Sequence, residues 1–258
     1  MRRILVIIVV VFFVLIFCPS AVSDSQLSAA QYQGSLTTQT GPKMEAAADA
    51  FRINKEYEKA ITLYREAIGK DRRNAVLYNK MGIAELQTSD FAAAKNAFGK
   101  AAKLNRTYAE PLNNRAVVAY IEKDYRKAVK LYRKAIALDP NNASFHNNLG
   151  TVLFAQHKTD DAIKELLLAL QLDPEVLARS ERGGVAAQIS ALEERAEYSY
   201  MLAKLHARLG DVDRCLECLR KAKEAGYSKL ENVYKDPEFQ AIRQDSRLAT
   251  VVPAPTPR

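Results

Sequence analysis

Ala60, Ala94, Ala128 and Ala162 stand at one fixed interval of 34 residues, and Ala67, Ala101, Ala135 and Ala169 repeat the same step seven residues later. Tyr64, Phe98, Tyr132 and Leu166 form a third column in the same phase, and Ala48, Gly82, Ala116 and Gly150 a fourth. No insertion breaks the register between residues 41 and 176. A chain with such a period is one supersecondary unit copied along its length. Each copy is too small to bury its own apolar face, so neighbours must stack into a continuous core.

The unit reads as two helices. In residues 109–142, Leu112, Ala116, Ala119 and Tyr120 recur at three- and four-residue steps, and Tyr125, Ala128, Tyr132 and Ala135 do so again. Glu122, Lys123 and Asp124 form the turn between. Small residues where helices cross let the backbones approach, and the aromatic column fills the space beside them. Asp139-Pro140 and Asp173-Pro174 close two of the units, and proline suits the first turn of the helix that follows. Small eighth residue, alanine twentieth and twenty-seventh, aromatic or leucine between them, Asp-Pro at the end: this pattern resembles the tetratricopeptide repeat family. Asp71-Arg72 and Asn105-Arg106 depart from its Asp-Pro, and Met44, Leu112 and His146 stand where Tyr78 supplies the family's aromatic fourth residue. The resemblance implies an all-α fold: a right-handed superhelical α-solenoid of tetratricopeptide helix pairs with C-terminal capping helices.

Four tandem repeats are expected over 41–74, 75–108, 109–142 and 143–176, and a fifth over 196–229, where Ala203, Cys215, Leu219 and Ala222 take the column positions. Residues 177–195 are an insertion. Its "RSERGG" stretch (179–184) reads as a flexible turn, and Ser190 with Glu193 as a capping box that starts the next helix near 191. Residues 230–250 read as capping helices, with Asp236 before Pro237 as a start signal and Phe239, Ile242 and Leu248 on the apolar side. "KDPEFQAIRQDSRL" is similar to a tail that closes many bacterial chains of the family. Residues 24–40 are a polar linker and 251–258 a Pro-rich tail.

At the N-terminus, Arg2 and Arg3 precede an apolar run from Ile4 to Cys18, and Ala21-Val22-Ser23 leads into Asp24. This is the layout of an export signal peptide over 1–23. It implies a periplasmic or secreted protein of the bacterial envelope. The alternatives are an uncleaved membrane anchor over residues 4–18, or lipidation at Cys18, where bulky Phe17 departs from the usual small residue. The formal charge of +8 falls to +6 without the two arginines of that segment, an excess too mild to imply a nucleic-acid partner. Beyond residue 23 only Cys215 and Cys218 remain, so no disulfide framework holds the fold.

Two adjacent asparagines, Asn113-Asn114 and again Asn147-Asn148, sit in predicted first helices, where asparagine is a poor choice. In the family, the first helices line a concave groove. Transferred to this sequence, that face carries Asn79, Lys80, Ile83, Leu86, Asn113, Asn114, Val117, Tyr120, Ile121, Asn147, Asn148, Thr151 and Phe154. A column of amides, each donor and acceptor, could bond the main chain of an extended peptide; equally, it could serve local structure. The apolar members could form side-chain pockets for a ligand, or could receive a terminal segment of the same chain. The basic constellation with which some family members clamp a terminal carboxylate is missing, since Ile83, Val117 and Thr151 occupy the relevant ninth places.

"CLEC" at 215–218 falls mid-helix at core positions, and reads as two buried hydrophobes rather than a redox pair or a metal site with His206. No phosphate-binding loop, zincin or nucleophile-elbow motif is present, so the reading is non-catalytic and without cofactor. The expected function is an exported scaffold that holds a partner protein or peptide segment in its concave groove. The alternative is a membrane-tethered structural subunit of an envelope assembly, such as a pilus or secretion machine.

Overall fold

The computed structural model describes residues 41–183 and 192–254 of the 258. The export signal (1–23), the linker (24–40), residues 184–191 of the insertion, with Ser190 of the capping box, and residues 255–258 lie outside the described residues.

Four helix pairs follow one another: α1 (Gly41–Ile53) with α2 (Tyr57–Lys70), α3 (Ala75–Gln87) with α4 (Phe91–Leu104), α5 (Glu110–Ile121) with α6 (Tyr125–Leu138), and α7 (Ala143–Ala155) with α8 (Thr159–Leu172). Then come α9 (Val176–Gly183) and a fifth pair, α10 (Leu192–Arg208) with α11 (Val212–Glu224). Short 3-10 turns at Leu230–Tyr234, Pro237–Phe239 and Ile242–Gln244 lead to α12 (Leu248–Val251). The two helices of each pair pack along one another, and α2, α4 and α6 each pack on the first helix of the next pair. First helices also touch in sequence, α3 on α5 and α5 on α7. The chain is thus an all-α solenoid of paired helices.

Local chemistry sets the tight turn inside each pair. Lys55, Ser89, Lys123 and His157 hold φ between 58° and 63°, and Gly210 holds 71° at the same place in the fifth pair. This left-handed step reverses the chain, and the next residue caps the second helix. Asp90, Asp124 and Asp211 accept hydrogen bonds from the backbone N–H of Ala93, Lys127 and Arg214, three residues on.

The seam between the helices of a pair is the alanine and aromatic columns. Ala60, Ala94, Ala128 and Ala162 are fully buried, as are Tyr64, Phe98, Tyr132 and Leu166 beside them. Burying each of those large side chains contributes roughly 1.5–3 kcal/mol. The small eighth residue is demanded by this packing. A Cβ on Gly82 would stand 2.7 Å from the Phe98 ring, and one on Gly150 2.7 Å from Leu166 Cγ.

Two boundaries differ from the sequence expectation. The "RSERGG" stretch is not a loop through 179–183, because α9 runs to Gly183. Val176, Leu177 and Ser180 are buried at helical spacing, and α9 packs on α7 and α8. The glycines signalled flexibility, but the apolar stripe before them finds a surface. The tail also begins later than residue 251, because Val251 and Val252 are buried in the cap. Tyr234 donates to the Val252 carbonyl at 2.6 Å and Lys223 to that of Val251 at 2.8 Å. Val233, Phe239, Ile242 and Leu248 complete the apolar cover over the last pair. Arg243 ties the cap together, donating to the carbonyls of Val233 at 3.1 Å and Asp236 at 2.5 Å.

Candidate functional site

The first helices α3, α5 and α7 bring the predicted residues into one column, and the asparagines bond to each other along it. Asn114 Nδ2 donates to Asn79 Oδ1 at 3.0 Å, and Asn148 Nδ2 to Asn113 Oδ1 at 3.0 Å. Within α5, Asn113 donates to Asn114 at 3.1 Å; within α7, Asn147 reaches Asn148 at 3.5 Å. Asn79 Nδ2 closes one end on the Tyr108 hydroxyl at 3.1 Å, and Asn147 Nδ2 the other on Ser180 Oγ of α9 at 2.9 Å. The rule is simple: the sixth residue of each repeat donates to the fifth residue of the repeat before. Lys80 obeys it with charges in place of amides, reaching Glu45, the fifth residue of the first repeat, at 2.7 Å, and adds Asp49 of α1 at 2.6 Å.

The ladder stops at the fourth pair. In the fifth, Met201 holds the sixth place and has no amide to give. Asn147 Oδ1 is accordingly buried without a hydrogen-bond partner, in a residue only 1% exposed. Thr151 is fully buried as well, its hydroxyl donating to the Asn147 carbonyl at 3.0 Å and lying 3.4 Å from the Tyr198 hydroxyl. Residues Phe145 to Leu153 of α7 are buried all round. Here α9 and Tyr198 of α10 cover the column.

The apolar members divide. Ile83, Leu86, Val117, Ile121 and Phe154 are partly exposed, whereas Tyr120 is buried with its ring 5.5 Å from that of Tyr125. Ile83 and Leu86 rest on Ala94, Phe98 and Val118. Phe154 meets the Tyr198 ring edge-on at 5.1 Å.

Phe154 also opens onto a cavity of about 330 Å³ that the sequence reading did not anticipate, between the fourth and fifth pairs. Glu197, Tyr200, Met201, Lys204 and Tyr227 line it, with His157 and Asp236 at its edge. Tyr200 and Tyr227 stack with centroids 4.5 Å apart. The Tyr200 hydroxyl donates to Asp236 Oδ2 at 2.9 Å, and Lys204 pairs with Asp236 at 2.7 Å and Glu238 at 3.7 Å. A signal for these residues was present: Glu197, Tyr200, Met201 and Lys204 hold the second, fifth, sixth and ninth places of the repeat 196–229.

Cys215 and Cys218 are both buried on α11, and burial pushes the Cys215 thiol up to about 12. Cys218 and His206 share a cavity of about 130 Å³ under α9, where burial lowers the basicity of the imidazole. No three His, Cys, Asp or Glu side chains among the described residues are grouped to hold a metal ion. No helix among them is long and apolar enough to cross a membrane.

Comparison with known proteins agrees with this architecture. Models of the TPR repeat and the tetratricopeptide repeat match residues 118–157 and 196–225. Those two stretches fall in the third-to-fourth and fifth helix pairs. No curated protein matches the sequence. Among solved structures, MamA (41-end) from Desulfovibrio magneticus RS-1 is 19% identical over 73% of this chain and 96% of that one, with a TM-score of 0.51. TTC0263, a thermophilic TPR protein of Thermus thermophilus, is 16% identical over 76% and 96% respectively, also at 0.51. At such identities the likeness speaks for the fold.

Proposed function

We propose that this chain is a non-catalytic binding scaffold that holds a segment of a partner protein against its column of first helices. The observation that carries the reading is the division of labour along that column. The asparagines tie one repeat to the next, while Ile83, Leu86, Val117, Ile121 and Phe154 remain partly open beside them. A strip of half-open apolar side chains on a rigid, internally bonded wall suits a bound segment better than it suits bulk water. The wall needs no ordering when the partner arrives, which keeps the entropic penalty on the partner's side. The envelope location belongs to the same proposal and rests on the composition of residues 1–23 alone.

The test is selection of peptides from a displayed random library against the purified chain, followed by titration of the Leu86→Ser/Ile121→Ser variant. Loss of binding in a variant that keeps its helical circular dichroism supports the scaffold reading. Peptides that bind the variant as tightly as the parent overturn it.

A further inference from the structure

The junction cavity differs in chemistry from the column that leads to it. We propose, resting on the scaffold reading above, that this pocket receives a basic side chain, arginine or lysine, of the bound segment. Three observations converge on that ligand. Phe154, Tyr200 and Tyr227 supply aromatic surface, and aromatic faces attract cations through their quadrupole. The site already shows this behaviour, since Lys204 Nζ sits 5.6 Å from the Tyr200 ring centroid. Glu197 lines the pocket, is exposed, and forms no ion pair among the described residues. Asp236 lies beside it, and Glu197, Asp236 and Glu231 all bear on the Tyr227 phenol, which burial and these acids hold in its neutral form. The opposing charges in the lining are Lys204, already held by Asp236 and Glu238, and Lys229. The two acids and two lysines of the lining cancel, so on a chain of net charge +8 the pocket is locally neutral and rich in aromatic surface, with Glu197 the acid that no described lysine holds.

Size points the same way. A cavity of about 330 Å³ lies at the small end of ligand sites. It accommodates one long side chain rather than a helix. Arginine fits its two demands together, because the planar guanidinium stacks on a ring while its edge donates to a carboxylate. The partner main chain would then run along α5 and α7 toward Ile121 and Leu86, with this pocket as an anchor at one end.

Methionine methyl resonances give a direct test. The chain has four methionines, Met1, Met44, Met81 and Met201, and among the described ones, Met44, Met81 and Met201, only Met201 lines the pocket. The full chain, carbon-13 labelled at the methionine ε-methyls, is titrated with acetyl-Gly-Arg-Gly-amide and with its Glu and Leu counterparts. The arginine peptide is expected to shift Met201 saturably, leaving Met44 and Met81 in place. Glu197→Gln is expected to weaken that binding about twofold to fivefold, as the loss of one exposed ion pair implies, with the free Met201 signal unchanged as evidence of folding. A glutamate or leucine peptide that moves Met201 as far, silence of Met201 toward the arginine peptide, or unaltered affinity in Glu197→Gln each overturns the proposal. Library peptides that still depend on Leu86 and Ile121 while Met201 stays silent would leave the scaffold standing and remove the arginine pocket alone.

Discussion

Single side chains show where the repeat is well made and where it is not. Tyr64 and Tyr132 occupy the same column, yet their hydroxyls meet different fates. Tyr64 donates to Asp49 Oδ1 at 2.5 Å, whereas the Tyr132 hydroxyl is buried without a partner. An unmade hydrogen bond in a dry core is expensive, and Phe98 shows that the column accepts a ring alone. Tyr132→Phe is therefore expected to stabilise the protein by about 1 kcal/mol in denaturant titrations, where Tyr64→Phe destabilises it. Glu85 is the second misfit. It is buried in α3 with one carboxylate oxygen unpaired, and burial, with a smaller push from Asp90 against a pull from Arg65, raises its carboxyl to about 7. The folded state thus holds the proton more tightly than the unfolded one, whose carboxyl titrates near 4.5. Stability from this group is full below about 4.5 and is lost as pH rises through about 7. Glu85→Gln is expected to match the parent near pH 4 and to exceed it at pH 8 by up to about 3 kcal/mol. Melting temperatures across that range check the sign, and a gap that narrows with rising pH contradicts it.

At the scale of the helix, much was legible in the sequence because the signals are local and periodic. Columns of alanine and aromatics gave the pairs, and the structure adds the caps at Asp90, Asp124 and Asp211 that start second helices. The left-handed step before them was hidden at four of five places, because Lys55, Ser89, Lys123 and His157 are not glycine. Helix α9 was hidden for the opposite reason: Gly183 and Gly184 outweighed the short buried stripe of Val176, Leu177 and Ser180. Glycines inside helices sort by what lies opposite them. Gly150 faces Leu166 Cγ at 2.7 Å and the Ala162 carbonyl at 3.1 Å, while Gly99 of α4 has nothing within 4 Å. Gly150→Ala is expected to cost about 1–3 kcal/mol through overpacking. Gly99→Ala is expected to gain about 0.5–1 kcal/mol from helix propensity. Equal effects of the two in thermal melts would mean that α7 and α8 do not approach as closely as described.

Over the whole described chain, the stacking order followed from the period, but the use made of the inner wall did not. Spacing puts Asn79 and Asn114 on matching faces of neighbouring repeats; it does not say whether their amides point at each other or at a ligand. That depends on the distance between first helices, which tertiary packing sets at hydrogen-bond reach for residues 35 apart. The same limit concealed the junction pocket, which needs Phe154, Tyr200 and Tyr227 from three segments at once. The interruption of the ladder at Asn147 and the arrival of α9 then explain why the inner face changes character at the fifth pair.

The central claim is that consecutive repeats are locked in phase by amides bonded across the inner wall. A double-mutant cycle on Asn79→Ala and Asn114→Ala, read as unfolding free energy in denaturant, addresses that claim most directly. The account predicts a coupling of about 0.5–1.5 kcal/mol between the two positions, the net worth of one part-buried hydrogen bond. Strict additivity of the two single variants would show that the amides do not meet.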